Sequence, residues 1–286
     1  MKILIIGSRG ALGQQLSKVF SQGDDDLFAW DFPEFNLTDF KSLRARLESL
    51  RPDLIINAAA YNAVDKCEQD LIEKELAFVL NEALPKTLAD FTVDTQAILI
   101  HYSTDYVFSG DGQQKLDETA RPNPLNNYGV SKAAGEKVLS DKLNLKYYLI
   151  RTSKLFGPKS DSPFAKNSFF ALMKKLSFEQ ASLKVVNDEK GCFTYTPDLA
   201  QATFTLLKEN YPFGIYHLVN PPAATWYDGV LALKELADLK VEILPIPGSS
   251  LERPAKRPYD STLINTKFPA LRDYREALKE YLINFL

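Results

Sequence analysis

The chain begins with a short apolar run that ends at a glycine-rich turn. Ile3–Ile6 is continuously apolar, which is typical of parallel strands buried on both faces. Gly7–Gly13 has the spacing Gly-x-x-Gly-x-x-Gly, and apolar residues at helical spacing follow between Leu12 and Phe20. Glycines in such a turn let a pyrophosphate come close to the helix N-terminus. This order predicts a dinucleotide-binding turn, with an ordinary strand-to-helix connection as the alternative.

The alternation of strand and helix continues as far as Arg151. Apolar runs predict further strands, and patterns of helical period between them predict helices. The predicted strands are Leu27–Trp30, Asp53–Asn57, Ala97–Tyr102 and Lys146–Arg151. The predicted helices begin near Thr38, with Thr38 or Asn36 as the cap, and cover Leu71–Phe91 and Asn127–Lys142. Together they predict an α/β fold with a right-handed, doubly wound parallel sheet of the Rossmann type.

Two strand ends refine the prediction of a cofactor. Asp31 ends the second strand 18 residues after Gly13, and a carboxylate there favours NAD by binding the adenosine ribose. Arg9 favours NADP, because an arginine in this loop can accept a 2′-phosphate. Ala58–Ala60 follow the third strand, where small residues allow a ligand to approach the backbone. We therefore expect NADPH or NADH.

Four side chains in the middle of the chain suit carbonyl chemistry. Tyr128 and Lys132 are four residues apart and share one face of a helix. A cation within about 4–6 Å favours the phenolate and lowers a tyrosine pKa from about 10. Ser103 and Thr104 follow the fourth strand and offer hydroxyls to a substrate oxygen. The set predicts a tuned proton donor, although roughly one Tyr-x-x-x-Lys match is expected by chance among 13 tyrosines.

Composition narrows the class of protein. A net charge of −3 in 286 residues gives no electrostatic footprint for nucleic acid. Cys67 and Cys192 stand apart from any Cys/His cluster, so we expect no metal site or disulfide framework and a cytoplasmic location. No run approaches the roughly 18 apolar residues of a membrane span, and the initial apolar run is too short for a signal peptide.

The second half of the chain has a looser pattern. Phe164–Phe178, Asp198–Lys208, Trp226–Leu239 and Tyr274–Phe285 are predicted helices; Lys184–Val186 and Gly214–Leu218 are predicted strands. The segment from Pro245 to Pro258 is proline-rich and predicted to be irregular. We expect residues 1–151 to form the NAD(P)-binding domain and residues 152–286 mainly the substrate-binding part, with some segments packing back on the first domain.

Several longer motifs carry a resemblance to a known family. They are Asn57–Lys66, Ser103–Phe108, Pro124–Glu136, Arg151–Ser153, Tyr216–Val219, Thr225–Tyr227 and Arg253–Pro258. Together these motifs resemble the extended short-chain dehydrogenase/reductase family, and within it the dTDP-4-dehydrorhamnose reductase type, over nearly the whole chain. The resemblance implies that NAD(P)H reduces the C4 ketone of a dTDP-linked 4-keto-6-deoxy sugar.

The same resemblance implies roles for individual residues. Tyr128 would protonate the developing oxyanion, Lys132 would lower its pKa and hold the nicotinamide ribose, and Thr104 would bind the carbonyl. Asp105 would touch the sugar, and Arg257 would reach the nucleotide phosphates. The predicted cofactor-binding residues are Gly7, Arg9, Gly10, Ala11, Leu12, Gly13, Asp31, Asn36, Leu37, Ala58, Ala59, Ala60, Tyr102, Ser103, Tyr128 and Lys132.

The chain departs from this family pattern at three places. Lys154 stands where a tryptophan commonly packs against the sugar, and Phe193 where a proline is common. Both departures concern the identity of the sugar, and Lys154 is a candidate substrate residue. Gln15 replaces a glutamate that contributes to a magnesium-bridged dimer in some members. A neutral amide is a weaker ligand for a hard cation, so we expect a monomer or a weak homodimer.

Two other functions fit the same motifs. The methionine adenosyltransferase β subunit keeps the fold and the Tyr/Lys pair but acts as a non-catalytic regulatory subunit, and it also lacks the tryptophan. A nucleotide-sugar epimerase or dehydratase would use the same triad and recycle its NAD.

Overall fold

A computed structural model describes residues 1–112, 115–163 and 167–286. Its central feature is a sheet in which six strands from these residues are all parallel, in the order β10-β5-β4-β3-β1-β2. The strands are β1 (Lys2–Ile6), β2 (Asp26–Trp30), β3 (Leu54–Asn57), β4 (Ile98–Thr104), β5 (Tyr147–Thr152) and, later in the chain, β10 (Gly214–His217). The predicted doubly wound α/β fold is confirmed.

Helices cover both faces of this sheet. Those in the first half are α1 (Ala11–Phe20), α2 (Phe40–Leu50), α3 (Lys66–Gln69), α4 (Leu71–Phe78), α5 (Leu84–Thr95) and α6 (Asn127–Ser140). Those in the second half are α7 (Phe169–Glu179), α8 (Thr196–Lys208), α9 (Trp226–Leu236) and α10 (Tyr274–Phe285). In the part of the chain that the structure describes, no helix is long and apolar enough to span a membrane.

Alternation along β1 shows how the core is divided. Ile3 and Ile5 face a cluster that contains residues of α1 and α8, while Leu4 and Ile6 face one that contains residues of α2 and α5. All four side chains are fully buried, as expected where successive residues of a strand point to opposite faces of a covered sheet. The continuous apolar run at the start of the chain therefore serves both halves of the core.

The second half adds short strands around the carboxyl-terminal side of the sheet. They are β6 (Leu155–Phe156), β7 (Ser182–Val186), β8 (Lys190–Gly191), β9 (Thr194–Tyr195), β11 (Ala224–Thr225) and β12 (Glu242–Ile246). They pair as β6 with β9, β7 with β12 and β8 with β11. The prediction of irregular structure from Pro245 is wrong at its start, because Pro245 and Ile246 belong to β12, which pairs with β7.

Several predicted helix boundaries also need correction. The cap of α2 is Asp39, whose carboxylate accepts the Ser42 N–H at 3.1 Å, whereas the Asn36 amide oxygen accepts from Thr38 instead. The helix predicted from Phe164 begins at Phe169, and residues 164–166 lie outside the described part. Helix α9 ends at Leu236 rather than Leu239. The predicted Leu71–Phe91 helix is interrupted by a π-helical turn at Val79–Ala83, and α5 continues to Thr95.

Candidate active site

The glycine-rich turn lies where the chain order in the sheet reverses, between β1 and β3. Gly7 has φ +78°, and a Cβ there would lie 2.5 Å from the Ala59 nitrogen. A Cβ on Gly13 would lie 2.0 Å from the Gly7 carbonyl oxygen. The turn after β1 and the small residues after β3 are thus packed backbone to backbone. Crevices at such reversal points, outside the carboxyl ends of the strands, are where open α/β sheets bind ligands.

The N-terminus of α1 faces this crevice without a side-chain cap. Its N-cap residue is Gly10, which has no side chain to accept a hydrogen bond from the first helical N–H groups. These N–H groups and the helix dipole favour an anion. Two residues from the second half of the chain hold the glycine-rich turn from one side. Ser160 Oγ and the Ser162 N–H both donate to the Arg9 carbonyl, at 2.6 and 3.1 Å.

The two residues predicted to choose between NAD and NADP lie side by side. The Asp31 carboxylate accepts the N–H groups of Arg9 and Phe32 at 2.8 and 2.7 Å. The Arg9 guanidinium pairs with Glu34 at 2.6 Å, and both side chains are substantially exposed. The carboxylate therefore stabilises the turn, while the guanidinium lies in a weak surface pair that a phosphate can replace.

The remaining predicted cofactor residues differ in how their side chains lie. Leu12 and Leu37 are buried in the core, whereas Asn36 and Ala60 are exposed. Ala59 N–H donates to Asn57 Oδ1 at 3.2 Å, which fixes the backbone opposite Gly7.

Helix α6 brings Tyr128 and Lys132 to the end of β4. Asn126 caps it by accepting the Gly129 N–H at 2.8 Å, and Glu68 accepts the Asn127 N–H at 2.5 Å. A Cβ on Gly129 would lie 2.2 Å from the Tyr106 carbonyl oxygen, so the helix start is pressed against the turn after β4. Tyr128 on this helix consequently meets Thr104.

Lys132 is held by the strand rather than by the tyrosine. Its ammonium donates to the Tyr102 carbonyl at 2.6 Å, and the side chain is 2% exposed. Burial lowers the pKa of Lys132 to about 8, and the Glu136 carboxylate opposes that change. Glu136 itself forms a buried bidentate pair with Arg151, at 3.0 Å to Nε and 2.7 Å to Nη2.

Lys132 is not among the groups that shift the pKa of Tyr128 in this structure, so the lowering of that pKa by Lys132 stays a prediction. Burial raises the pKa of Tyr128 to about 12, and the Thr104 hydroxyl is the group that acts in the opposite direction. The phenol is therefore protonated at neutral pH.

Thr104 connects the phenol to a buried carboxylate. Its hydroxyl donates to Asp105 Oδ1 at 3.1 Å and accepts the Tyr106 N–H at 3.2 Å. Asp105 is 2% exposed, and its other oxygen accepts from Ser153 at 2.7 Å and from Ser261 at 2.5 Å. Ser153 and Ser261 were not among the predicted site residues.

Lys154 lies near the Asp105 carboxylate. Its ammonium donates to the carbonyls of Glu189 and Ala224, both at 3.0 Å, and lies over the rings of Trp226 and Phe193 at 4.5 and 5.1 Å. Burial lowers its pKa to about 8, whereas the nearby Asp105 carboxylate raises it. The two residues that depart from the family pattern, Lys154 and Phe193, are thus in direct contact.

Arg257 is engaged in a bidentate ion pair. Its Nη1 and Nη2 atoms lie 2.7 and 2.6 Å from the two carboxylate oxygens of Asp65. The pair joins the loop after β3 to the segment after β12. A planar guanidinium that already holds one carboxylate in a forked geometry has the shape needed for a phosphate, but Asp65 would have to be displaced or share it.

The crevice fits a nicotinamide dinucleotide on structural grounds. Side chains at Gly7 and Gly13 would collide with neighbouring backbone, the α1 N-terminus carries no side-chain cap, and Ser103 Oγ is a buried hydroxyl without a partner in the described structure. Asp31, Lys132 and Ser103 are the side chains that would hold such a cofactor. No cluster of metal-ligating side chains occurs within the described residues.

The parallel sheet, the glycine turn and the Thr/Tyr/Lys set define an NAD(P)-dependent oxidoreductase of the short-chain dehydrogenase/reductase class. A family model described as RmlD substrate binding domain matches residues 1–286, and the chain belongs to this family. The family prediction is therefore confirmed.

Individual relatives agree over almost the whole length. A dTDP-4-dehydrorhamnose reductase of Salmonella typhimurium is 36% identical, over 94% of this chain and 91% of its own. A dTDP-4-dehydrorhamnose reductase of Clostridium acetobutylicum has a solved structure with TM-score 0.90 and 33% identity, covering 99% of each chain. Another from Bacillus anthracis, solved in complex with NADP, has TM-score 0.89 and 31% identity, covering 99% of this chain and 98% of its own.

Proposed function

We propose that this protein reduces the C4 ketone of a nucleotide-activated 4-keto-6-deoxy sugar, with dTDP-4-dehydro-L-rhamnose as substrate and dTDP-L-rhamnose as product. The observation that carries the proposal is the meeting of Tyr128 with Thr104 at the end of β4. The names of two relatives that are 34% and 36% identical over most of their length support the sugar and the nucleotide.

Bound NAD(P)H supplies the hydride, and the side chains of this chain manage the proton. Because burial keeps Tyr128 protonated, its phenol can donate directly to the oxygen that becomes the C4 hydroxyl. Thr104 lies beside the phenol and can place the ketone oxygen between the two hydroxyls. Lys132 keeps a positive charge near the phenol while that proton leaves, which stabilises the developing phenolate.

The diphosphate of the nucleotide is assigned to Arg257. Its side chain is 11% exposed and lies between the two halves of the chain, where its pair with Asp65 leaves the guanidinium preorganised. Lys154 is assigned to the sugar end, since it is beside Asp105. We further propose a monomer or weak homodimer, because the neutral Gln15 side chain is a poor magnesium ligand. A cytoplasmic location is proposed from the two isolated cysteines, Cys67 and Cys192.

A cofactor and substrate panel tests the function. Purified protein is mixed with NADH or NADPH and with dTDP- and UDP-linked 4-keto-6-deoxy sugars, and absorbance loss of the reduced cofactor is followed. Turnover of the dTDP-linked sugar supports the proposal. Absence of cofactor oxidation with every sugar contradicts it and favours the regulatory alternative, which a pull-down with a methionine adenosyltransferase would then support.

A third result would distinguish an epimerase or dehydratase from a reductase. A sugar that changes while the cofactor shows no net oxidation would identify an enzyme that recycles its NAD. Analysis of the sugar product by NMR detects this outcome in the same samples.

A further inference from the structure

Ser261 reaches the centre of the site from a segment far away in sequence. It lies between β12 and α10, 156 residues from Asp105, and is 3% exposed. Its hydroxyl donates to Asp105 Oδ2 at 2.5 Å. Nothing in its local sequence distinguishes it from the other serines.

The backbone around Ser261 is fixed on both sides. The Ser261 N–H donates to the Lys190 carbonyl at 3.0 Å, and the Asp260 N–H donates to the Gly110 carbonyl at 3.0 Å. A Cβ on Gly110 would lie 2.8 Å from Cβ of Pro258. The segment is therefore wedged between strand β8 and the loop after β4, so the position of the Ser261 hydroxyl follows from how this segment is docked.

The carboxylate that receives this hydroxyl has an unusual environment. Asp105 forms no salt bridge with any described residue, and its hydrogen bonds come from three hydroxyls, those of Thr104, Ser153 and Ser261. A buried charge is costly unless hydrogen bonds compensate it. The ionisable groups that face Asp105 are Lys154, Tyr106, Tyr128 and Cys192. Burial raises the pKa of Asp105, and the Ser261 hydroxyl is the strongest of the opposing influences.

We propose that Ser261 is a positioning residue that acts through Asp105: it holds the carboxylate in the ionised form and orientation that accept the Thr104 hydroxyl proton. The bond to Asp105 Oδ1 fixes the Thr104 hydroxyl beside Tyr128. The segment that contains Ser261 thereby sets the position of the Thr104 hydroxyl at the phenol. This inference rests on the proposed reductase function.

The test compares Ser261→Ala with Thr262→Ala. Thr262 is its neighbour, and its hydroxyl donates to Asp260 rather than to the site. For Ser261→Ala we expect kcat to fall about tenfold, as for the loss of one hydrogen bond to a charged group. The Kd for NADPH stays unchanged. In the dependence of kcat on pH, the acidic limb moves to higher pH by about one unit, because the pKa of Asp105 rises when the carboxylate loses a hydrogen-bond donor. Ser261→Thr, which keeps the hydroxyl, restores the limb, and Thr262→Ala leaves it in place.

A second measurement does not depend on turnover. Urea unfolding is measured at about pH 5 and about pH 8, and the loss of stability in Ser261→Ala is expected to be larger at the higher pH, where Asp105 is ionised. An unmoved acidic limb, or an equal stability loss at both pH values, overturns the proposal. If the wild-type protein turns over no sugar, the proposed function fails, while the pH-dependent stability difference still decides whether Ser261 holds an ionised Asp105.

Discussion

The ammonium of Lys132 donates to the backbone carbonyl of Tyr102 at 2.6 Å. This bond fixes the lysine to β4, one residue before the Ser103–Thr104 pair. The nearest carboxylate on the same helix is Glu136, which pairs with Arg151. The protonation of Lys132 therefore depends on a buried charge one helical turn away.

Replacing Glu136 with Gln should move the basic limb of kcat/KM to lower pH. Burial lowers the pKa of Lys132 to about 8, and Glu136 raises it, so removing that carboxylate lowers the pKa further. The charge of Lys132 is lost as pH rises through its folded pKa, so activity is lost at lower pH. The unpaired Arg151 should also reduce the free energy of unfolding by about 3–5 kcal/mol.

A matched control for this change is available at the C-cap of the same helix. Asp141→Asn removes a carboxylate from the exposed pair with Lys137 and should leave the limb unchanged. A Glu136→Gln profile that superimposes on that of the wild type would show that Glu136 has no influence on Lys132.

Replacing Tyr128 with Phe should lower kcat by about 10²- to 10⁴-fold, the usual contribution of a general acid. The Kd for NADPH, measured by fluorescence, should change little. Tyr148→Phe is the control, since its hydroxyl donates to the Tyr211 carbonyl at 2.7 Å, away from Thr104. A Tyr128→Phe variant with near wild-type kcat would remove this residue from the proton transfer.

Replacing Gly13 with Ala should weaken cofactor binding by more than tenfold. The added Cβ would lie 2.0 Å from the Gly7 carbonyl oxygen, and backbone cannot move aside without deforming the turn. Overpacking of this kind typically costs about 1–3 kcal/mol. A Cβ on Gly23 meets nothing within 4 Å, so Gly23→Ala should bind NADPH normally. Isothermal titration of both variants checks this; equal affinities would contradict the assignment of the turn.

Replacing Lys154 with Met should change sugar preference more than it changes cofactor affinity. The variant keeps the length of the side chain but leaves the Glu189 and Ala224 carbonyls without their donor, at a cost of about 1–3 kcal/mol. The ratio of kcat/KM between two 4-keto sugars should shift by about tenfold. Lys174→Met removes another lysine bonded to a backbone carbonyl, that of Leu286, and should leave the ratio unchanged. A constant ratio in both variants would exclude Lys154 from sugar selection.

The sheet could be predicted because its strands are apolar over their whole length. Ile3–Ile6 and Leu54–Ile56 contain no polar residue, so each run indicates a strand buried on both faces. The glycine turn marks where the first strand ends. The pairing of β7 with β12 was not predictable in this way. The two strands lie far apart in the sequence, and only the folded chain brings them together.

The π-helical turn and Ser261 show a different limit. Within Val79–Ala83, Asn81 is drawn inward by hydrogen bonds to the backbone of Tyr61 and to Ser131 Oγ, at 3.0 and 2.9 Å, and these partners come from other elements. Ser261 likewise acquires its place from the docking of its segment. Local periodicity contains no information about either contact. The same is true of the pKa of Tyr128, where burial outweighed the charge that spacing alone suggested.

Strand β10 comes from the second half of the sequence but completes the central sheet, so it limits where the chain can be divided into two fragments. This strand, Gly214–His217, forms the outer edge of the sheet beside β5, and α8 packs against α1. A protein that ends at residue 151 would expose the unpaired edge of β5 and the apolar face of α1, and such edges pair with other chains. The cofactor half should therefore aggregate when it is expressed alone, and any split reporter built from this enzyme needs its break after residue 217.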